Sequence, residues 1–399
     1  MSQKTKSYIL HASLFIITFI TATFAGAEWT YGKSIMAYLV LGTEYTWADF
    51  ASGLPYSICF LTILSCHEFG HYFTAIYYRI KTTLPYYIPI PPILPLNIGT
   101  FGALIRIKER IASNKEQFDV GIAGPLAGFV VAVAFLIYGF ITLPPPEHVF
   151  LFHPEYKQYG LDYADHVYKT MPEGTVDVII GKNLLFTFLE KIFADPSRMP
   201  NPHEIMHYPF LFAGFLSLVF TCMNLLPIGQ LDGGHVLYGL VGYKKHRLIA
   251  TVIYFGLLFY TGLGYIDSQT PADQLFYEIP LYIFFLFMAM RSLFEKKRDR
   301  LMYSLIIFTA QYITGLLVPS IHGYSAWLAF ILLVGWMAGV PHPPSEIEHP
   351  LDLKRKILGW VALAIFILCL TPEPIVIDAA PTHTPTAAPE SSQSAMIGH

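Results

Sequence analysis

The sequence predicts an all-α polytopic membrane protein, and three observations carry that expectation. Hydrophobic residues make up 54% of the 399 and charged residues only 13%, against roughly 25% charged in a soluble chain. About nine apolar runs reach spanning length, near residues 8–27, 54–78, 118–143, 210–228, 248–266, 276–294, 301–319, 324–340 and 356–371. With the N-terminus inside, most of the 25 lysines and arginines fall in cytoplasmic connections. The net charge of −3 gives nucleic acid nothing to bind. Membrane lipids are the expected surroundings.

Residues 1–50 are read as a first helix and linker. Lys4 and Lys6 precede the first apolar run, and Ala25-Gly26-Ala27 resembles a signal-peptidase site. The run is also long enough to span, and an uncleaved helix is the reading kept. Residues 51–245 are expected to form the functional core, 246–371 further membrane helices, and 372–399, rich in Pro, Thr, Ala and Ser, a disordered tail. The four cysteines lie in apolar segments without a CxxC pair, so they read as small buried hydrophobes.

The second run carries the chemistry. His67, Glu68 and His71 interrupt an otherwise apolar stretch, and ionisable groups at membrane depth are functional suspects. Their HExxH order puts both imidazoles on one helical face, at the spacing one zinc ion needs, with the glutamate free to act as a base. Eight residues separate His71 from Arg79, which sets the site on the cytoplasmic side of the bilayer centre.

The linker at 82–117 opens with LPYYIPIPPILPLN, whose prolines exclude a regular helix or central strand. Its second part alternates Phe101, Ala103, Ile105 and Ile107 with Leu104, Arg106 and Lys108, the period of a strand. A short re-entrant β-hairpin beside the site is expected, with a plain amphipathic connector as the alternative. The edge at Gly102, Ala103 and Leu104 would pair with an extended substrate by strand addition. Gly121, Gly124 and Gly128 in the third run are assigned to helix packing.

Residues 144–209 are expected to form a small extracytoplasmic loop domain. It contains a second HExxH, His203 to His207, bracketed by Pro200, Pro202 and Pro209. Those prolines leave little room for a two-turn helix. It is read as a bystander, with His207 able to face the site from above.

A catalytic zinc needs a third protein ligand and an open position. In the stretch from Asn224 to His235, Pro227, Gly229 and the Gly233-Gly234 pair are expected to break the helix where Asp232 appears. Asp232 is the candidate ligand, with His235 as an alternative that, three residues further on, is expected at the cytoplasmic edge. Asn224 either donates to a developing oxyanion or makes an interhelical hydrogen bond.

Three motifs together, His67-Glu-Phe-Gly-His71, Ala123-Gly-Pro125 and Asn224 to Gly234, resemble the site-2 protease family of intramembrane zinc metalloproteases. The resemblance covers roughly residues 50–245. It implies a three-helix catalytic core with His67, His71 and Asp232 as Zn2+ ligands, Glu68 as the base, and cleavage of transmembrane segments of partner proteins. No PDZ-like insertion or nucleotide-binding pair is present in the sequence. GTFGALIRIKE and the later helices look closer to the branch that includes chloroplast site-2-type proteases and bacterial relatives. A bacterial cytoplasmic membrane is the expected location, because no Arg- and Ser-rich transit segment is seen. A membrane metal transporter or a non-proteolytic membrane scaffold are the rivals. The first would not need Glu68, and the second would be expected to lack part of the triad.

Overall fold

A computed structural model describes residues 2–94, 97–169, 176–267 and 269–379. Helix α1 (Gln3–Tyr31) leads through two short helices, α2 (Ile35–Leu41) and α3 (Trp47–Ser52), into α4 (Leu54–Tyr77). Pro55 sits in the first turn of α4, where its missing N–H costs nothing. Helices α1 and α4 touch at Gly26 and Gly53. A Cβ on Gly53 would lie 1.9 Å from the Thr23 carbonyl oxygen, so only glycine permits this approach. Ala25 and Ala27, part of the small-residue triplet, are buried within α1.

Strands β1 (Tyr86–Pro89) and β2 (Thr100–Leu104) form the expected antiparallel hairpin, with Tyr87 opposite Ala103. It is shorter than the alternation suggested: beyond Leu104 only Ile107 pairs again, with Thr82. The hairpin is pinned to the helices. Thr21 Oγ1 donates to the Gly99 carbonyl (2.7 Å), Tyr56 to Ile98 (3.0 Å) and Trp29 Nε1 to Asn97 (2.8 Å). Gly99 has φ +88° and lies against the Ala22 backbone, which a side chain could neither adopt nor fit.

Helix α5 (Asn114–Ile141) packs along α4 and against the later helices α8 (Pro209–Leu225) and α9 (Asp232–Thr261). Between α5 and α8 the chain forms 3₁₀ turns, the short α6 (Ala164–Val167), strand β3 (Val176–Ile180) and α7 (Leu184–Phe193). Leu185, Phe186 and Leu189 of α7 are buried in the main core, so this excursion is docked on the bundle. Helix α9 is two helices joined at Gly242, whose φ of +77° and ψ of 170° interrupt the helical path. Its second half packs with α10 (Ala272–Ala289), α11 (Lys297–Leu317) and α12 (Trp327–Leu333) around a separate core. Helix α13 (Leu353–Cys369) returns to the first bundle.

Helices overlap each of the nine apolar runs, but among the described residues four are long and apolar enough to cross a membrane: Gln3–Tyr31, Asn114–Ile141, Ala272–Ser292 and Lys297–Leu317. The rest fall short for physical reasons. Helix α4 has the length, but its histidines and glutamate dilute its hydropathy; α8 has 17 residues and α9 is broken. The expected disordered tail is also corrected at its start. Ile375–Ala379 forms strand β4, antiparallel to β3, because Ile375-Val376-Ile377 is a β-branched apolar run. Residues 380–399 lie outside the described residues. Cys59, Cys222 and Cys369 are buried and all four cysteines are free.

One charged contact ties α13 to the core. Arg355 Nε and Nη2 donate to the two Asp119 oxygens at 2.8 and 2.6 Å, and Nη2 reaches Tyr78 at 3.2 Å. A half-buried bidentate pair of this kind is worth about 1.5–3 kcal/mol. Arg355→Ala is expected to lower the melting temperature of the purified protein, whereas substituting the exposed Lys81, paired only to Glu109, leaves it within error. Thermal unfolding in detergent checks both.

Candidate active site

Helix α4 buries His67, Glu68 and His71 on the face turned towards α5 and α9. The chain then leaves α8 at Leu225 because Pro227 cannot continue it, and runs extended through Leu226. Asp232 follows as the first residue of α9, where a carboxylate suits the positive end of the helix. The Gly233-Gly234 pair does not break the helix as expected. Both residues lie in the first turn of α9, and a Cβ on either would lie within 2.2 Å of a backbone oxygen, on Leu225 or Gly229. Their role is to let that turn close against the break.

This placement brings three ligand atoms together. His67 Nε2 and His71 Nε2 lie 3.1 Å apart, and Asp232 Oδ2 is 3.5 and 3.3 Å from them. An ion with bonds of about 2.0–2.1 Å to tetrahedral N and O ligands spaces those ligands about 3.3 Å apart. The donor set therefore fits zinc. Glu68 Oε1 is 3.9 Å from His67 Nε2, beside the group and outside the triangle.

Helix α5 sets the histidines from behind. The Nδ1–H of His71 donates to the Val120 carbonyl (2.7 Å), which leaves the Nε2 lone pair facing Asp232. A Cβ on Gly124 would sit 2.1 Å from His71 Nε2, and one on Gly128 would sit 3.0 Å from His67 Cβ. The glycines assigned to packing are thus the surface on which the imidazoles rest. Only the i, i+3, i+7 spacing hinted at this.

A cavity of about 620 Å³ opens on the group. Asn224, at the last turn of α8, lines it, and so do Gly102, Ala103 and Leu104 of β2. Ala103 packs its methyl towards Ala22, Leu61 and Tyr87, while Leu104 is half exposed. The backbone N–H of Ile105 lies beside the Glu68 carboxylate. His235 lines the cavity, with its Nδ1 2.8 Å from His342 Nε2. His342 itself gave no signal in the sequence. It arrives because residues 339–349 fold back over this end of the bundle, where the Gly229 N–H donates to Val340 and Asn114 pairs with Ile347. The second HExxH does not form a helical pair. His203 stacks on Tyr168 and faces Asp177, and His207 points away from this cavity.

Residues 55–263 match the profile of peptidase family M50. The chain belongs to this family. Within M50 it is similar to the probable zinc metalloprotease EGY1, chloroplastic, of Arabidopsis thaliana, 28% identical over 55% of this chain and 34% of that protein. The EGY1 protein of Oryza sativa subsp. japonica is 29% identical over 53% of this chain and 31% of its own length. The EGY2 protein of Arabidopsis thaliana is 28% identical over 59% and 35%. The chain spans about a third of the length of these curated relatives. All three are plant proteins named as chloroplastic, which gives the expected bacterial membrane no support. No solved structure matches the chain significantly.

The contacts of α5 separate two substitutions that look alike in sequence. Gly124→Ala is expected to abolish zinc binding at this M50 site, because the methyl occupies the position of His71 Nε2. Gly128→Ala, whose nearest neighbour is the His67 Cβ at 3.0 Å, is expected to retain most of it. Metal analysis of the two purified variants decides.

Proposed function

We propose that the chain is an intramembrane zinc metalloendopeptidase that hydrolyses peptide bonds within transmembrane segments of partner proteins. The observation that carries the proposal is the His67, His71 and Asp232 triangle, with a separate carboxylate, Glu68, facing the same buried cavity. In this reading α4, α5 and α8, with the first turn of α9, are the three-helix catalytic core at 51–245. The same reading sets the core on the cytoplasmic side of a bilayer, with further spans at 246–371 and the 144–209 excursion on the opposite side.

His67, His71 and Asp232 would hold the zinc ion, which would act as a Lewis acid and activate water for attack. Glu68 accepts the proton of the attacking water and passes it to the leaving amine, which is why a second carboxylate stands outside the triangle. Asn224 donates to the oxyanion that develops on the scissile carbonyl. A helical substrate hides its peptide bonds and must unwind. The β2 backbone at Gly102 to Leu104 offers the freed segment an edge to pair with, within the cavity that holds Glu68. The polar side chains of Asn224, Gln230, Asp232, His235 and His342 in the cavity wall give water a path to an otherwise apolar place.

Two substitutions test the scheme in proteoliposomes carrying a single-span substrate. Glu68→Gln is expected to keep its zinc and lose cleavage by about 10²-fold or more, the usual contribution of a general base. Undiminished cleavage would exclude Glu68 as the base. Leu104→Asp places a charge on the exposed side of the β2 edge, where the half-buried Ala103 would instead report on hairpin docking. It is expected to slow cleavage with zinc content unchanged, and unaltered turnover removes the pairing step from the mechanism.

A further inference from the structure

A second convergence of ligand atoms lies in the excursion between α5 and α8, remote from the M50 site. His153 Nε2 and His207 Nε2 are 3.3 Å apart, and Glu204 Oε2 lies 3.6 and 3.4 Å from them. These edges match the triangle made by His67, His71 and Asp232, and the spacing of about 3.3 Å that tetrahedral zinc ligands keep. Glu204 and His207 come from the second HExxH, but its first histidine is replaced by His153, some fifty residues earlier in the chain.

The hydrogen bonds around the cluster decide what it can hold. The Nδ1–H of His207 donates to the Thr30 carbonyl at the end of α1 (2.7 Å). The Nδ1–H of His153 donates to the Glu155 carboxylate (3.2 Å). With Nδ1 as the donor in each ring, both Nε2 atoms present lone pairs, and the two lone pairs face one another. Neither ring, with Nδ1 as its donor, has a proton for Glu204, whose Oε2 is buried and finds no hydrogen-bond donor among the described residues. The Tyr168 hydroxyl bonds only the other oxygen, Oε1. Two lone pairs and an orphaned carboxylate oxygen aimed at one point repel each other unless a cation stands between them.

We propose that His153, Glu204 and His207 form a second, structural metal site for a divalent ion of the zinc class. Two imidazoles and a carboxylate are the donors zinc takes, and the Thr30 carbonyl and Glu155 are the outer partners that orient ligating histidines. The fourth position faces a cavity of about 320 Å³, lined in part by Trp29, Tyr156 and Tyr168, and takes a water. The ion joins the turn after α5, the segment entering α8 and, through Thr30, the end of α1. It thereby fixes the excursion to the bundle at this point.

Zinc stoichiometry of the full chain in detergent, by mass spectrometry after equilibration with buffered zinc, tests the site. Two equivalents are expected for the unaltered protein and one for Glu204→Gln, which keeps the shape of the side chain, or for the half-exposed His153→Ala. In a His67→Ala/His71→Ala background one equivalent is expected to remain, with X-ray absorption showing N/O ligation, and zinc is expected to raise the melting temperature. Adding Glu204→Gln is expected to remove both the metal and the zinc-dependent stabilisation. A single equivalent in the unaltered protein that Glu204→Gln leaves in place would overturn the proposal. So would a folded His67→Ala/His71→Ala protein, verified by circular dichroism, that holds no zinc.

Discussion

Placing two imidazoles and two carboxylates inside an apolar helix bundle is the constraint on which the rest of the structure depends. Each buried charge costs several kcal/mol unless a partner of opposite sign lies in contact with it. For His67, His71 and Asp232 the relief comes from convergence on one point, and convergence demands a precision that single helices do not possess. The bundle supplies it in three ways. Pro227 ends α8 early enough for Asp232 to open the next helix. The Val120 carbonyl fixes the His71 ring, and the α5 glycines leave the imidazoles room.

Helix α5 contributes no ligand of its own and yet determines whether the ligands can meet. Its residues 121, 124 and 128 present bare backbone to α4 and α9, so three helices approach at distances that ordinary side chains would prevent. That proximity is also what brings a backbone carbonyl within 2.7 Å of an imidazole nitrogen. Close packing and ligand orientation are therefore one property of the same stripe. Reading the glycines as packing elements captured the cause and missed the consequence.

Much of the site was legible because its chemistry is local and conspicuous. His67, Glu68 and His71 stand out in an apolar run, and Pro227 with Gly229 announces a break ahead of Asp232. Alternation gave away the hairpin, though backbone pairing at 105–108 proved too irregular to extend it. What remained hidden depends on contacts between distant segments. His342 reaches His235 from more than a hundred residues away, and His153 replaces His203 beside Glu204. Neither pairing leaves a periodic trace. The strand at Ile375–Ala379 was masked by the composition of the residues that follow it.

The returning segment at 339–349 has a consequence for how such proteins diversify. The match to the M50 profile ends at residue 263, so the shared inheritance covers the reacting groups and stops well short of the wall at His342 to Pro344. Part of the cavity wall thus lies outside the stretch that matches the family. Lineages can therefore keep the three motifs while varying that part of the wall.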